Sequence, residues 1–272
     1  MTSITDAEFR EIVSYINDNY GVNLEKKRFL IEGRLGHHLA SLGFDSYHEY
    51  FEHVKNDATG RELANLLNRL TTRHTFFMRE EKHFEFYRSH TLPWIADELG
   101  DTDLRVWSAG CSSGQEPYTL SMVTLGYLKE RNLRWDSVIL ATDISEGALA
   151  YGSEGVYPAE EVETLPTAWR NEWFERIDDE SLRVSRKLRA NVAFKKANLL
   201  EPFEVRNPFH LIMCRNVMIY FDNDTKSRLV SKFYDALTPG GYLFIGHSES
   251  LSSIKNDFDY IKPSIYRKPP VR

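Results

Sequence analysis

The chain of 272 residues is 42% hydrophobic and 27% charged, so it is long enough and apolar enough to fold around a sizeable core. Its 34 Lys and Arg residues against 40 Asp and Glu residues give a net charge of −6, which argues against binding to nucleic acid or to an anionic membrane through overall charge. Because the chain has no signal-like start, no run near the ~20 apolar residues of a membrane span and no disulfide framework around Cys111 and Cys214, we predict a cytoplasmic protein without direct membrane insertion.

The first seventy residues carry the pattern of short helices. Three capping boxes, beginning at Thr5, Ser46 and Thr59, each precede apolar residues with a helical period. Residues 24–42 repeat the apolar period between the first two boxes. The pattern predicts a small all-helical N-terminal domain over residues 1–75.

After a connecting segment at 76–102, short apolar strands alternate with helical stretches. This alternation is typical of a parallel sheet with crossover helices, and it predicts an α/β, Rossmann-like domain over residues 103–272. Alternating polar residues at about 169–190 predict a small antiparallel β insertion. The predicted strands are Leu104–Trp107, Val138–Thr142, Val192–Phe194, Phe209–Cys214 and Tyr242–Gly246.

A glycine-spaced turn follows the first of these strands. Gly110 and Gly114 form G-x-x-x-G, which is neither the dinucleotide fingerprint nor the P-loop, so we expect no bound phosphate there. Glu116 stands at the start of the next helix, where a carboxylate would repel a phosphate and attract an ammonium group such as that of S-adenosylmethionine. The alternative is that Glu116 only caps the helix.

Asp143 follows the second strand, where an acidic side chain can accept the two hydroxyls of a ribose. The alternative is that Asp143 caps the helix that starts near Ser145. Together with the glycine turn, this acid makes an adenosine site plausible.

Six stretches stand out beside these features: residues 70–80 (LTTRHTFFMRE), 110–118 (GCSSGQEPY), 141–144 (ATDI), 198–200 (NLL), 214–221 (CRNVMIYF) and, more weakly, 246–249 (GHSE). In this order and over nearly the whole chain they resemble one family, the bacterial chemotaxis receptor methyltransferases of the CheR type.

The resemblance implies a reaction, a cofactor and a partner. The methyl group of S-adenosylmethionine would pass to glutamate side chains in the cytoplasmic helical bundle of methyl-accepting chemoreceptors, giving glutamate methyl esters and S-adenosylhomocysteine. Arg73 is included in the cofactor pocket, although many relatives have asparagine there. The other cofactor-binding residues carried over by motif are Thr75, Arg79, Glu116, Asp143, Asn198, Leu199, Arg215 and Asn216.

The chemistry of this reaction asks for alignment rather than for a general base. A glutamate acceptor, with a reference pKa of ~4.3, is already ionised and nucleophilic near neutral pH. We predict Arg79 as the catalytic residue because a guanidinium can clamp a carboxylate through two hydrogen bonds. The alternative is a surface salt bridge between Arg79 and Glu80 or Glu81. No metal site is predicted, since His48 and His53 lack the spacing of HExxH.

Two features concern the receptor. Lys27, Arg34 and His38 fall at helical spacing, and the resemblance implies that this basic face docks onto the receptor bundle; the alternative is an ordinary solvated face. Some family members also grip a C-terminal receptor pentapeptide through a glycine-containing loop of the insertion. The matching loop here, residues 177–181, is acidic and lacks glycine, so we predict independence from this tether.

Two other function classes remain open at this point. One is a methyltransferase with a different acceptor, since the cofactor site alone does not select it. Asn216 is followed by Val217 and Met218 rather than by the Pro-Pro-aromatic signature of base methylation. The other is a non-catalytic adaptor that binds S-adenosylmethionine, which would be expected to have a damaged pocket.

Overall fold

The computed structural model describes residues 3–57, 61–70, 75–100 and 102–271. The predicted N-terminal helices are confirmed, and the capping box at Thr5 is complete: its side chain accepts from the Glu8 amide, and the Glu8 carboxylate accepts from the Thr5 amide. The box at Thr59 lies outside the described residues. The four helices are α1 (Asp6–Tyr20), α2 (Arg28–Leu42), α3 (Tyr47–Asn56) and α4 (Arg61–Leu70).

Helix α2 begins later than the apolar pattern indicated. Lys27 stands at its N-cap with no side-chain cap, and Arg28 forms an ion pair with Asp6 at the start of α1. The apolar faces of the helices meet in a common core, in which Ile16, Ile31 and other residues are completely buried. Burial of these faces, more than local propensity, holds such short helices together.

The connecting segment is helical. Helix α5 (Lys82–Phe86) continues through π-helical turns at Tyr87–Thr91 and Trp94–Leu99. The buried Tyr87 hydroxyl lies 2.7 Å from that of Thr124, which fixes the segment against the second domain.

From residue 102 onward, strands and helices alternate as predicted. The elements are β1 (Val106–Ala109), α6 (Gln115–Glu130), β2 (Ile139–Asp143), α7 (Glu146–Glu154), β3 (Val156–Pro158), α8 (Ala159–Glu163), α9 (Thr167–Trp173), β4 (Phe174–Arg176), β5 (Ser181–Val184), α10 (Arg186–Ala190), β6 (Val192–Lys196), β7 (Phe209–Cys214), α11 (Asn223–Ala236), β8 (Leu237–Ile245), β9 (Asp259–Lys262) and β10 (Ile265–Arg267).

Seven of these strands form the main sheet in the order β6-β2-β1-β7-β8-β10-β9. The first five are parallel, while β10 pairs antiparallel with β8 and β9. The Rossmann-like prediction is therefore confirmed. The order reverses between β1 and β7, and such a switch point opens a crevice at the carboxyl ends of the strands.

The antiparallel insertion is also confirmed, as a separate three-stranded sheet in the order β3-β5-β4. Its first strand, Val156–Pro158, lies ahead of the segment at 169–190 to which the sequence pattern had confined it. No helix in the part of the chain that the structure describes has both the length and the apolar character to cross a membrane.

Candidate functional site

A cavity of about 310 Å³ lies where the main sheet reverses its strand order. It is lined by the segments that leave the carboxyl ends of β1, β2, β6 and β7, and by residues of the N-terminal helical domain and the connecting segment. The lining residues from these two parts are Tyr20, Val22, Leu67, Thr75, Phe76, Arg79 and Phe84.

The turn after β1 brings backbone close to the cavity. Gly110 has φ +83°, and a Cβ on it would lie 2.4 Å from Cγ2 of Val217, so only glycine fits there. Ser112, also with positive φ, lines the cavity, and its buried hydroxyl has no hydrogen-bond partner within the described ranges. A buried unpaired hydroxyl at a cavity wall is what a polar ligand would satisfy.

Asp143 ends β2 at the cavity wall. One carboxylate oxygen accepts from the Ser112 amide at 2.9 Å, and the other accepts from the Ser145 amide at 2.9 Å. The N-cap of α7 is Ser145, whose side chain accepts from the Ala148 amide, so Asp143 orients the residue before the helix without capping it. Because each carboxylate oxygen has two lone pairs, Asp143 keeps acceptor capacity for ligand hydroxyls at the cavity.

Arg215 and two carboxylates form a buried ion-pair cluster beside the cavity. Arg215 Nη1 lies 3.0 Å from Glu116 Oε2, and its Nε lies 3.2 Å from Glu80 Oε2. Its third nitrogen, Nη2, donates to the backbone carbonyl of Arg79. The second oxygen of Glu116 accepts from the Ser108 hydroxyl at 2.7 Å. Arg215 is thus occupied by the protein itself, and it holds the backbone that carries Arg79.

Burial and charge affect the two carboxylates of this cluster differently. Burial raises the pKa of Glu116, and the Arg215 charge and the Ser108 hydrogen bond only partly oppose it. Burial also acts on Glu80, but the Arg215 charge and the His247 amide outweigh it and lower its pKa. Glu80 is therefore the more firmly ionised partner of Arg215.

The cavity brings together eight of the nine predicted cofactor-binding residues; Arg73 lies outside the described residues. Asn198 is partly engaged by the chain, since its Nδ2 lies 3.2 Å from the Asn19 carbonyl and its Oδ1 accepts from the Leu200 amide. The eight residues are Thr75, Arg79, Glu116, Asp143, Asn198, Leu199, Arg215 and Asn216.

Sequence reasoning missed three residues at this site. The sequence suggests Glu80 only as an alternative surface partner of Arg79, whereas in the structure Glu80 pairs with Arg215. Tyr220, which was not among the predicted site residues, lines the cavity. Glu249 accepts backbone amides behind Asn216. Only the sixth motif, GHSE, pointed toward Glu249.

Glu80, His83 and His247 place three potential metal-ligand atoms within 4.8 Å of one another. Burial lowers the pKa of His83 to about 3, so its ring is neutral. However, Glu80 Oε2 already lies 3.1 Å from Arg215 Nη2, and a guanidinium this close opposes a second cation. We therefore assign no metal to this cluster.

The predicted docking residues differ in their surroundings. Lys27 is exposed, immediately before α2, and Arg34 donates to the Arg69 carbonyl at 3.0 Å. His38 is half-buried, edge-on to the Tyr50 ring, and burial lowers its pKa. Because burial disfavours a charged His38 ring, the positive charge of this face comes from Lys27 and Arg34, and docking through the three residues stays a prediction.

Comparisons with known proteins agree over both domains. The family model described as CheR methyltransferase, SAM binding domain, matches residues 73–267, and the CheR methyltransferase all-alpha domain matches residues 7–71. A chemotaxis protein methyltransferase from Borreliella burgdorferi is 39% identical, covering 98% of this chain and 95% of that protein. A probable chemotaxis protein methyltransferase from Rhizobium etli is 36% identical, covering 89% and 92%. Chemotaxis protein methyltransferase 2 of Vibrio cholerae is 34% identical, covering 98% and 94%.

Proposed function

The chain belongs to the CheR methyltransferase family, with S-adenosylmethionine as its methyl donor, and from this premise we propose that it methylates glutamate side chains of methyl-accepting chemoreceptors. The products are glutamate methyl esters and S-adenosylhomocysteine. In this assignment residues 1–75 dock the receptor, residues 76–102 connect the domains and contribute to the donor pocket, and residues 103–272 carry the reaction.

The composition of the cavity wall supports a carboxylate acceptor. Among the described residues that line it there is neither a histidine nor a lysine, and its two carboxylates, Glu116 and Asp143, already accept hydrogen bonds. An amine or hydroxyl acceptor would have to lose a proton to a base, whereas a glutamate is ionised near neutral pH. Arg79 is also at the wall, and in our assignment its guanidinium attracts a carboxylate there.

The donor supplies a methyl carbon made electrophilic by the adjacent sulfonium sulfur. The chain's task is then to hold the reacting groups in line and exclude water, for which positioning alone can lower the barrier substantially. In our assignment Asp143 and the Ser112 hydroxyl bind the ribose of the donor. Leu199 packs against the apolar parts of the donor, and Glu116 faces its ammonium group. Arg79 clamps a carboxylate of the donor or of the acceptor.

The test is transfer of radiolabelled methyl from S-adenosylmethionine to purified receptor cytoplasmic fragments, followed by mild base. Glutamate methyl esters release the label as volatile methanol. Label that stays base-stable would mean a different acceptor, and a protein that binds S-adenosylhomocysteine but transfers no label would be the adaptor. A receptor fragment whose methylated glutamates are changed to alanine is the matched negative substrate.

We also propose that Lys27 and Arg34 steer the enzyme onto the acidic receptor bundle. Lys27→Glu should raise KM for the receptor about three- to tenfold at low salt, with kcat unchanged, because rim charges act on association. The difference should shrink as added salt screens the charges. Lys129→Glu makes the same charge change at the far end of α6 and should leave KM unaltered. Equal effects of both changes would show a non-specific charge effect instead.

The insertion is proposed not to bind a receptor pentapeptide. The loop between β4 and β5 is a tight hairpin in which the Ile177 amide pairs with the Ser181 carbonyl. Its exposed carboxylates, Asp178, Asp179 and Glu180, would repel the carboxylate at a peptide's C-terminus. Calorimetry with a receptor C-terminal pentapeptide is expected to detect no tight binding, and tight binding would overturn this assignment.

A further inference from the structure

The turn that follows β8, residues 246–249, packs directly behind the cavity. Gly246 is buried, and a Cβ on it would lie 2.5 Å from Asn216 Nδ2 and 2.9 Å from Glu249 Oε2. The turn is therefore in close contact with the loop that leaves β7, and this loop forms one wall of the cavity through Asn216, Ile219 and Tyr220.

Glu249 binds the backbone of that loop. Its Oε2 accepts from the amides of Asn216 at 2.9 Å and Gly246 at 2.6 Å, and its Oε1 accepts from the amide of Ile219 at 3.1 Å. The Asn216 and Gly246 amides follow the ends of β7 and β8, and the Ile219 amide lies in the first turn of the 3-10 helix Met218–Tyr220, where amides have no partner within the helix. A carboxylate is suited to this place because both of its oxygens only accept.

The loop needs such support because Asn216 has φ +57°. A non-glycine residue in the left-handed region is strained and persists only where its surroundings fix it. The Asn216 amide is itself one of the groups that Glu249 binds, so the carboxylate acts on the strained residue directly.

The same turn also contacts the segment that carries Arg79. The His247 amide donates to Glu80 Oε1 at 3.1 Å, and Glu80 pairs with Arg215, whose Nη2 donates to the Arg79 carbonyl. Residues 246–249 thus connect the segment of Arg79 with the segment of Asn216, and both residues line the cavity.

Burial raises the pKa of Glu249, and its backbone hydrogen bonds lower it without fully compensating. Burial of this carboxylate is unfavourable, and Glu249 has no cationic partner among its described contacts. We therefore infer that its role lies in the groups that it binds. Those contacts are backbone amides of the cavity loop and of its own turn.

We propose that Glu249 is a positioning residue for methyl transfer, which acts by holding Asn216 in its strained conformation at the cavity wall. This inference rests on the proposed function only in naming the acceptor. The effect of Glu249 on the donor pocket does not depend on which acceptor is used. The residue itself touches neither donor nor acceptor.

The experiment is a double-mutant cycle over Glu249→Gln and Asn216→Ala, read out as the affinity for S-adenosylhomocysteine by calorimetry and as kcat for receptor methylation. Gln has nearly the same size, but its NH₂ group turns a donor toward backbone amides. Glu249→Gln should lower the affinity or kcat about 10- to 100-fold. In the double variant the loss should be no larger than in the worse single variant, because both changes act through the Asn216 side chain: Glu249→Gln displaces it and Asn216→Ala removes it.

Three outcomes would overturn the proposal. The losses of the two single variants could multiply in the double variant, Glu249→Gln could leave both readouts unchanged, or Asn216→Ala could leave both unchanged. Should Glu249→Gln fail to fold, Glu249→Asp serves in the cycle, since it keeps the charge but shortens the reach. Glu175→Gln, on the exposed face of β4, is the matched control and should leave both readouts unchanged. If the wild type binds S-adenosylhomocysteine but methylates no receptor, the proposed acceptor fails while the calorimetric cycle still decides the role of Glu249.

Discussion

Arg79→Ala is expected to lower kcat/KM for receptor methylation about 10²- to 10³-fold, because it removes a guanidinium that aligns a carboxylate with the reacting methyl group. The fold should be preserved. The structural contact of Arg79 with Arg215 is made by its backbone carbonyl, which alanine retains. Thermal unfolding of the variant measures any loss of stability separately, and initial rates with labelled donor, corrected for the folded fraction, give the loss of activity.

The affinity for S-adenosylhomocysteine and the value of kcat together identify which carboxylate Arg79 binds. If the carboxylate belongs to the donor, Arg79→Ala weakens S-adenosylhomocysteine binding in calorimetry; if it belongs to the receptor, this affinity is retained and kcat falls. Arg79→Lys keeps the charge without the planar fork and should recover only part of the rate. Arg88→Ala removes an exposed arginine that pairs with Glu130 and should have no effect. Full activity of Arg79→Ala would refute the catalytic assignment.

The residues that the sequence could locate stand at the ends of recognisable strands. Asp143 and Asn216 follow apolar runs that could be read as strands, and parallel strands bring their carboxyl ends to one edge. Glu116 is found in the same way, from the glycine turn before its helix. For Asp143 and Glu116 local pattern and topology are enough, whereas Asn216 was assigned to the cofactor pocket through the family resemblance.

The ion pairs behind the cavity could not be found in that way. Arg215 and Glu80 are 135 positions apart, and nothing local distinguishes Glu80 from its neighbour Glu81. Glu249 lies 33 positions from Asn216 and binds its backbone rather than its side chain. Such contacts depend on how whole segments pack, which periodicity does not record.

The bounds of two strands, β3 and β8, could not be predicted for a different reason. The strand β3 has three residues, too few for an alternating pattern, and it is defined by its pairing with β5. In β8 the sequence around Gly240 indicates a turn, yet the strand already begins at Leu237, and its pairing with β7 is irregular there. A glycine in a strand often marks such an irregularity.

The largest expected effect on stability is that of Arg215→Met. This change leaves Glu80 and Glu116 buried beside each other without their shared cation, and breaking a buried ion pair in this way costs about 3–5 kcal/mol. We expect urea denaturation near neutral pH to show a free energy of unfolding lowered by this amount. The Arg79 carbonyl also loses its donor, so S-adenosylhomocysteine binding should weaken in the fraction that folds.

The pH dependence of the variant tests this explanation. Without Arg215, burial raises the pKa values of both carboxylates in the folded state above those of the unfolded chain, so the folded state takes up protons first. The deficit in the free energy of unfolding relative to the wild type should therefore shrink as the pH falls from 7 toward 5.

Adding Glu80→Gln and Glu116→Gln to Arg215→Met should remove much of this deficit at neutral pH, because no unpaired charge is left buried. Arg131→Met, which breaks an exposed pair with Asp97, should change stability little. A deficit in Arg215→Met that is independent of pH and of these two substitutions would mean that the packing of the arginine, and not its charge, stabilises the wall of the cavity.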